Sequence, residues 1–365
     1  MPGYSVLCFR GCAGGDETCR ADGQVSLDVY VGGMRPPLSV DMPRPASLLA
    51  LEEELEHHGK LDDPRRRNLL KAALSKSGKW KGLFGFYAVP SDAEDAPTRI
   101  RDAAGLDGTV LAYEAGAFLW PGVEIGFERH VRIHPKGEDG LSLTLLTRSL
   151  QPLVIEVSSF LQPSECTHII KKAMPHVASS PVSHMDHDVG KPDTNWRSSS
   201  QWFMPSDDDV TKRLDTRVSA LTVVPVRNQE YAQVLRYEQT QRYAAHHDYF
   251  DPNMYKKNKD IMALTKKGLF NRMATVFFYL SNVTRGGETC FPRAGDLEQP
   301  RNFEDCSLGV SVKPLAGRII IFYSLFASGR GDPLSLHGGC AVEDGTKWSV
   351  NKWIWNSKMN FLRDP

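Results

Sequence analysis

The sequence predicts an α+β chain. A small α+β N-terminal region precedes a double-stranded β-helix (jelly-roll) core with supporting N-terminal helices. Two observations carry that expectation. Beyond residue 151, two amphipathic helical segments are followed by many short strands punctuated by Gly, Pro and Asn. Near the start, a hairpin pattern runs directly into a strong helix former. With 365 residues, of which 41% are hydrophobic, the chain can build one large domain and a smaller one.

In chain order, residues 1–90 read as the small α+β region. Residues 25–31 alternate apolar and polar at period two, as a half-buried strand does. Gly32-Gly33 and Pro36-Pro37 mark a turn, and residues 47–56 form a helix with Ser47 as its cap. A hairpin followed by a helix suggests a ubiquitin-like grasp, although many small α+β units begin this way. Residues 61–82 are basic (Arg65, Arg66, Arg67, Lys71), which suits a solvated face better than a docking surface. Residues 91–108 read as a linker, and 109–150 as a β lead-in around residues 118–126. The main domain spans 151–360. Ser164 caps its first helix, and Asp207, Asp208 and Asp209 start its second, whose Val210, Leu214, Val218 and Leu221 share a face. Strands follow at 232–238, 274–280, 318–324 and 348–355.

Lys+Arg and Asp+Glu both number 44, so net charge points to neither nucleic acid nor an acidic membrane surface. No apolar run approaches the roughly 20 residues of a membrane span, and the first residues lack the pattern of a secretion signal. As written, the chain reads as cytoplasmic. Its 7 cysteines are sparse and odd in number, which is not a disulfide framework. Cys8, Cys12 and Cys19 offer metal ligands, but no fourth ligand follows at zinc-like spacing, so free thiols or a local disulfide fit them better.

The chemistry-bearing residues lie in the C-terminal half. His246 and Asp248 are two apart, so a strand would present both on one face and turn His247 away. A third ligand must come from a distant strand, and His337 is the candidate. Two imidazoles and one carboxylate suit a non-haem Fe(II) site with open positions for substrate and oxygen. Lys347 opens a strand on which Lys347, Ser349, Asn351, Trp353 and Trp355 share a face. A lysine facing into a barrel needs a carboxylate. The partner is either an acidic co-substrate or a structural ion pair.

Residues 153–356 resemble the prolyl 4-hydroxylases, members of the 2-oxoglutarate- and Fe(II)-dependent dioxygenases. Trp196-Arg-Ser-Ser-Ser, Gln233-Val-Leu-Arg-Tyr-Glu and Gln241-Arg-Tyr-Ala-Ala-His-His-Asp-Tyr-Phe carry the likeness. So do Asn271-Arg-Met-Ala-Thr-Val, Tyr279-Leu-Ser-Asn-Val, Gly286-Gly-Glu-Thr-Cys-Phe-Pro, Ser335-Leu-His-Gly-Gly-Cys and Lys347-Trp-Ser. The resemblance implies that His246, Asp248 and His337 bind Fe(II) and that Lys347 pairs with the distal carboxylate of 2-oxoglutarate. It implies further contacts to that co-substrate from Thr289 and Tyr237. Tyr243, Arg272 and Trp353 match positions lining the peptide groove, and Arg197 and Ser199 a loop that closes over the peptide. Tyr243 and Trp353 would otherwise be core aromatics, and Arg272 a surface cation. The implied cofactors are Fe(II), 2-oxoglutarate, O2 and ascorbate, and the implied substrate is proline in a Pro-rich peptide or protein segment.

Departures from the family pattern are informative. Thr240 stands where many relatives carry Gly, and residues 254–270 form a longer basic loop with five lysines that could alter peptide choice. The resemblance also implies a disulfide between Cys306 and Cys340, which favours an oxidising compartment such as the endoplasmic reticulum lumen. The alternatives are a 2-oxoglutarate oxygenase acting on another residue or a small molecule, and a non-catalytic binding module of the same fold.

Overall fold

The computed structural model describes residues 24–31, 38–43, 48–57, 84–88, 98–100, 106, 108–114 and 120, then 124–362 except 182, 183, 191, 194, 195, 327, 328 and 360. Cys8, Cys12, Cys19, the Ser47 cap and the basic stretch 61–82 lie outside these residues. The chain divides into two compact units, Met1–Pro121 and Gly122–Pro365.

The N-terminal unit contains β1 (Gln24–Val31), β2 (Leu38–Pro43), α1 (Leu48–His57), β3 (Phe84–Ala88), β4 (Thr98–Ile100) and β5 (Gly108–Glu114). They form one sheet in the order β2-β1-β5-β3-β4, with β1 and β5 parallel. The period-two pattern is realised in β1, where Val25, Leu27 and Val29 are buried and Ser26 and Asp28 exposed. On α1, Leu51 and Leu55 are one helical turn apart and both buried.

The expected linker at 91–108 is corrected here. Within it, β4 pairs with β3 (Phe86 opposite Ile100), and β5 lies between β1 and β3 rather than in a lead-in to the next domain. Polar, Pro-containing composition marks loops. It does not reveal a three-residue strand whose hydrogen-bond partners lie elsewhere in the chain.

The C-terminal unit carries a nine-stranded sheet in the order β6-β7-β8-β17-β13-β20-β11-β10-β9. These strands are β6 (Glu128–Ile133), β7 (Leu141–Leu150), β8 (Leu153–Ser158), β9 (Ala178–Ser179), β10 (Ser200–Met204), β11 (Ala232–Tyr237), β13 (Arg272–Tyr279), β17 (Ile319–Tyr323) and β20 (Lys347–Trp355). A four-stranded sheet, β12-β18-β15-β16, uses β12 (Tyr243–His246), β15 (Thr289–Phe291), β16 (Val310–Val312) and β18 (His337–Gly339). A two-stranded ribbon pairs β14 (Arg285–Gly286) with β19 (Val342–Asp344). One buried cluster takes Leu235, Tyr237, Phe277 and Phe322 from the large sheet and Phe291 and Val312 from the small one. Apolar faces of both sheets therefore meet in a single core, the packing of a jelly roll. Each large side chain buried there contributes about 1.5–3 kcal/mol.

The strands expected at 232–238, 274–280, 318–324 and 348–355 are β11, β13, β17 and β20 within a residue or two at each end. The domain start moves forward, because β6 and β7 pair into the large sheet through β8. Three α-helices complete the described part of this unit: α2 (Pro163–Ala173), α3 (Asp209–Thr222) and α4 (Lys259–Leu264). The cap of α2 is Gln162 rather than Ser164, with the Glu165 carboxylate accepting the Gln162 N–H at 2.9 Å. Asp208 caps α3 by accepting from Thr211 N–H at 2.9 Å. Buried Arg217 of α3 donates to both Glu165 oxygens (2.9 and 3.0 Å), to Glu138 (2.7 Å) and to the Phe160 carbonyl (2.6 Å). That fork locks both helices to the edge of the large sheet.

Candidate functional site

The small sheet sets the centre. In its register, His246 of β12 lies directly opposite His337 of β18. Asp248 falls just past the end of β12, in a bend rather than in the strand itself, and still turns back to the same point. Asp248 Oδ1 is 3.7 Å from His246 Nε2, and its Oδ2 is 3.5 Å from His337 Nε2. The ligand atoms of all three lie within 4.8 Å of one another. His247 faces away, its ring 4.8 Å from that of Tyr249.

Backbone and neighbours fix the orientation of each ligand. His246 Nδ1 donates to the Ala244 carbonyl and His337 Nδ1 to the Ser335 carbonyl, both at 2.9 Å, which leaves each Nε2 lone pair facing Asp248. Burial, and then the adjacent His337, hold the His246 imidazole well below its ordinary pKa, so it is neutral. Burial pushes the Asp248 carboxyl up, but His337, His246, Arg272 and the Thr275 hydroxyl together hold it below the usual carboxylate range. Thr275 Oγ1 donates to Asp248 Oδ2 at 2.6 Å. Tyr243 stacks on His246 at 3.7 Å between ring centroids, and Phe322 packs on His337 at 4.4 Å. Two imidazoles and one carboxylate, aimed at one point and held from behind, suit a divalent metal that keeps open positions, Fe(II) among them.

Lys347 stands opposite Tyr237 in the β11–β20 register and is 1% exposed. Its Nζ sits 5.3–5.9 Å from the ring centres of Tyr237, Phe277 and Tyr279. Among the described residues it has no ion pair. Burial pushes its pKa down to about 8. A bound carboxylate would supply the missing partner. Thr289 accepts a hydrogen bond from the Tyr279 hydroxyl at 2.9 Å. The Gly-Gly-Glu-Thr turn brings Thr289 in. Gly286 has φ +72°, and a Cβ there would stand 2.2 Å from the Ala341 carbonyl oxygen, so the turn requires glycine.

Beside the trio, Arg197 is 5% exposed, donates to Ser199 Oγ at 2.7 Å and lies 4.6 Å from the centre of the Tyr243 ring. Ser199 also contacts Ser180 at 3.0 Å. Arg272 is not a free surface cation. Its fork grips Glu230 at 2.6 and 3.0 Å, and its guanidinium carbon lies over Trp353, 3.5 Å from the ring centre. The Trp355 indole also donates to Glu230, at 2.6 Å. Cys306 and Cys340 are joined as a disulfide.

All eleven residues singled out in the sequence thus lie in the C-terminal unit, on or beside strands of the two facing sheets. Thr275, Glu230, Tyr279 and Phe322 were not singled out, although they hold Asp248, Arg272, Thr289 and His337 respectively. Thr275 and Tyr279 lie in stretches that carry the family likeness without a role of their own there, while Phe322 sits in an apolar strand pattern and Glu230 in a loop, where nothing in the local sequence marks them. Among the described residues no helix is long and apolar enough to cross a membrane.

Fold and donor set together define the class, and residues 232–355 match the model of the 2OG-Fe(II) oxygenase superfamily. The chain is 37% identical over 213 residues to prolyl 4-hydroxylase 2 of Arabidopsis thaliana, covering 56% of this chain and 68% of the relative. It is also 37% identical over 216 residues to prolyl 4-hydroxylase 1 of the same plant, covering 56% and 70%. Among solved structures, a viral collagen prolyl hydroxylase from Paramecium bursaria Chlorella virus 1 aligns at 25% identity with a TM-score of 0.39, covering 55% of this chain and 95% of that one. The chain belongs to the prolyl 4-hydroxylase family.

Proposed function

We propose that this chain hydroxylates proline in Pro-rich peptide or protein segments, coupled to oxidative decarboxylation of 2-oxoglutarate to succinate and CO2. The carrying observation is the pairing of a two-histidine, one-carboxylate cluster with a buried, unpaired Lys347 in the same domain. Fe(II), bound with 2-oxoglutarate, would supply the activation of O2, with ascorbate keeping the metal reduced. His246, Asp248 and His337 would hold it. Lys347 would hold the distal carboxylate of the co-substrate, with Thr289 and Tyr237 adding hydroxyl contacts.

Tyr243, Arg197 and Ser199 would form one wall of the peptide groove, excluding water from the reacting centre. Trp353, backed by the Arg272–Glu230 pair, would form the other. A polyproline II segment presents a flat ring to such aromatic walls at little entropic cost. For the N-terminal unit, sheet order, the parallel β1–β5 pair and a helix after the first hairpin support a ubiquitin-like grasp serving as an accessory module. The Cys306–Cys340 disulfide supports an oxidising compartment.

The test is succinate formation by the purified chain under air with Fe(II), ascorbate and 2-oxoglutarate, with and without Pro-rich peptides. Peptide-stimulated succinate with one oxygen added to proline is expected. Succinate without peptide oxidation would retain the oxygenase and discard those substrates. Iron-loaded protein making no succinate would remove the assignment.

A further inference from the structure

Three cysteine sulfurs meet on the small sheet, and none of the roles above uses them. Cys306 is bonded to Cys340, while Cys290 is a free thiol, 3% exposed. Cys290 Sγ lies 3.3 Å from Cys306 Sγ, and all three sulfurs fall within 4.8 Å of one another. A disulfide sulfur has no hydrogen to give, so Cys290 is the donor in this contact. A thiol touching a disulfide sulfur is within reach for exchange once a side-chain rotation brings the three sulfurs into line.

Strand pairing explains the meeting. Cys290, in the middle of β15, stands opposite Gly338 of β18. Cys340 immediately follows β18, and its N–H donates to the Glu288 carbonyl at 2.9 Å. Cys306 comes from the loop ahead of β16, the other neighbour of β15. The sheet therefore holds all three sulfurs together whichever two are bonded.

We propose that Cys290, Cys306 and Cys340 form an exchangeable three-sulfur relay, in which the bond passes between Cys306–Cys340 and Cys290–Cys306 by internal thiol attack. In the forward step the Cys290 thiol loses its proton and its electron pair forms a bond to Cys306 Sγ. The Cys306–Cys340 bond breaks, its pair leaves on Cys340 Sγ, and that sulfur takes up a proton. One disulfide is exchanged for another, so no oxidant or reductant is consumed. Burial pushes the Cys290 thiol up to about 11, against the Gly338 backbone and Lys347, which draw it down. The attacking thiolate is therefore scarce and exchange is slow, while contact with its target raises its effective concentration.

The relay joins two parts of the site. Cys290 follows Thr289 directly, and Cys340 lies shortly after His337 on the same strand end. Moving the bond changes which of these two neighbourhoods, that of a co-substrate contact or that of a metal ligand, is cross-linked to Cys306, a consequence that rests on the function proposed above.

The exchange itself is tested without iron or co-substrate. The full chain is incubated in mildly alkaline buffer without added thiol, quenched in acid with a maleimide, digested, and its linkages mapped by mass. Both Cys306–Cys340 and Cys290–Cys306 peptides are expected, with maleimide on Cys340 matching the second. Cys290→Ser should remove the second linkage and leave the first. Wild-type protein showing only Cys306–Cys340, with Cys290 blocked throughout, would overturn the relay. So would a Cys290–Cys306 linkage confined to covalent dimers.

Discussion

Lys347 and Lys352 stand on the same strand, are 1% and 2% exposed, and differ in what they touch. Lys352 Nζ pairs with Asp215 at 2.6 Å and donates to the Glu230 carbonyl at 2.8 Å, which ties β20 to α3. Lys347 has three aromatic rings around its Nζ and no ion pair among the described residues. One face of the strand is a finished structural interior. The other leaves a buried charge whose partner must arrive from outside. Removing a buried ion from water costs several kcal/mol unless it is paired. The unpaired lysine therefore marks the functional side more sharply than its sequence position does.

Breaking the structural side should have the largest effect. Lys352→Met leaves Asp215 buried without its cation and should cost about 3–5 kcal/mol in denaturant unfolding. An unchanged unfolding midpoint would erase the contrast. Lys347→Met should act in the opposite sense. With the pKa down at about 8, keeping the ammonium buried costs about 3 kcal/mol at neutral pH, so the ligand-free variant should be more stable by up to that amount. Its 2-oxoglutarate affinity should fall about 100-fold, read by calorimetry.

The sign with pH follows from the depressed pKa. In the wild type the unfolded chain binds the extra proton between about 8 and 10.5, so this lysine's contribution makes stability rise with pH across that window. Co-substrate affinity should decline above about pH 8 as the ammonium is lost. Titrations that are flat there in wild type, or that decline equally in Lys347→Met, would dissociate Lys347 from the co-substrate.

A smaller effect sharpens the comparison within the functional face. Thr275 stands opposite Trp353 on the neighbouring strand and holds Asp248. Thr275→Val should weaken metal binding about 10-fold, measured by Mn(II) titration, with little change in stability. The smallest effect falls at the turn into β12. Thr240 has φ +68°, a left-handed conformation that a β-branched residue adopts only under strain, while its N–H donates to the Val342 carbonyl at 2.7 Å. The turn thus keeps a glycine-like shape with threonine in it. Thr240→Gly should stabilise the chain by about 1 kcal/mol in the same unfolding assay.

The sequence by itself determined the long strands and the two helices around the site, because period-two and period-3.6 patterns are local. It also marked His246, Asp248, His337 and Lys347, since those residue types are scarce and chemically distinctive in such segments. Tertiary structure alone decided the rest. The three- and four-residue strands of the small sheet have too few residues to show a period, so only pairing across the sheet reveals them. The same holds for β4, hidden in what reads as a linker. Glu230, Thr275 and Cys290 acquire meaning from what lies opposite them, and a linear chain does not record contacts between distant strands. Which of two buried lysines would find its carboxylate inside the fold, and which would be left without one, was settled by the packing of α3 against β20.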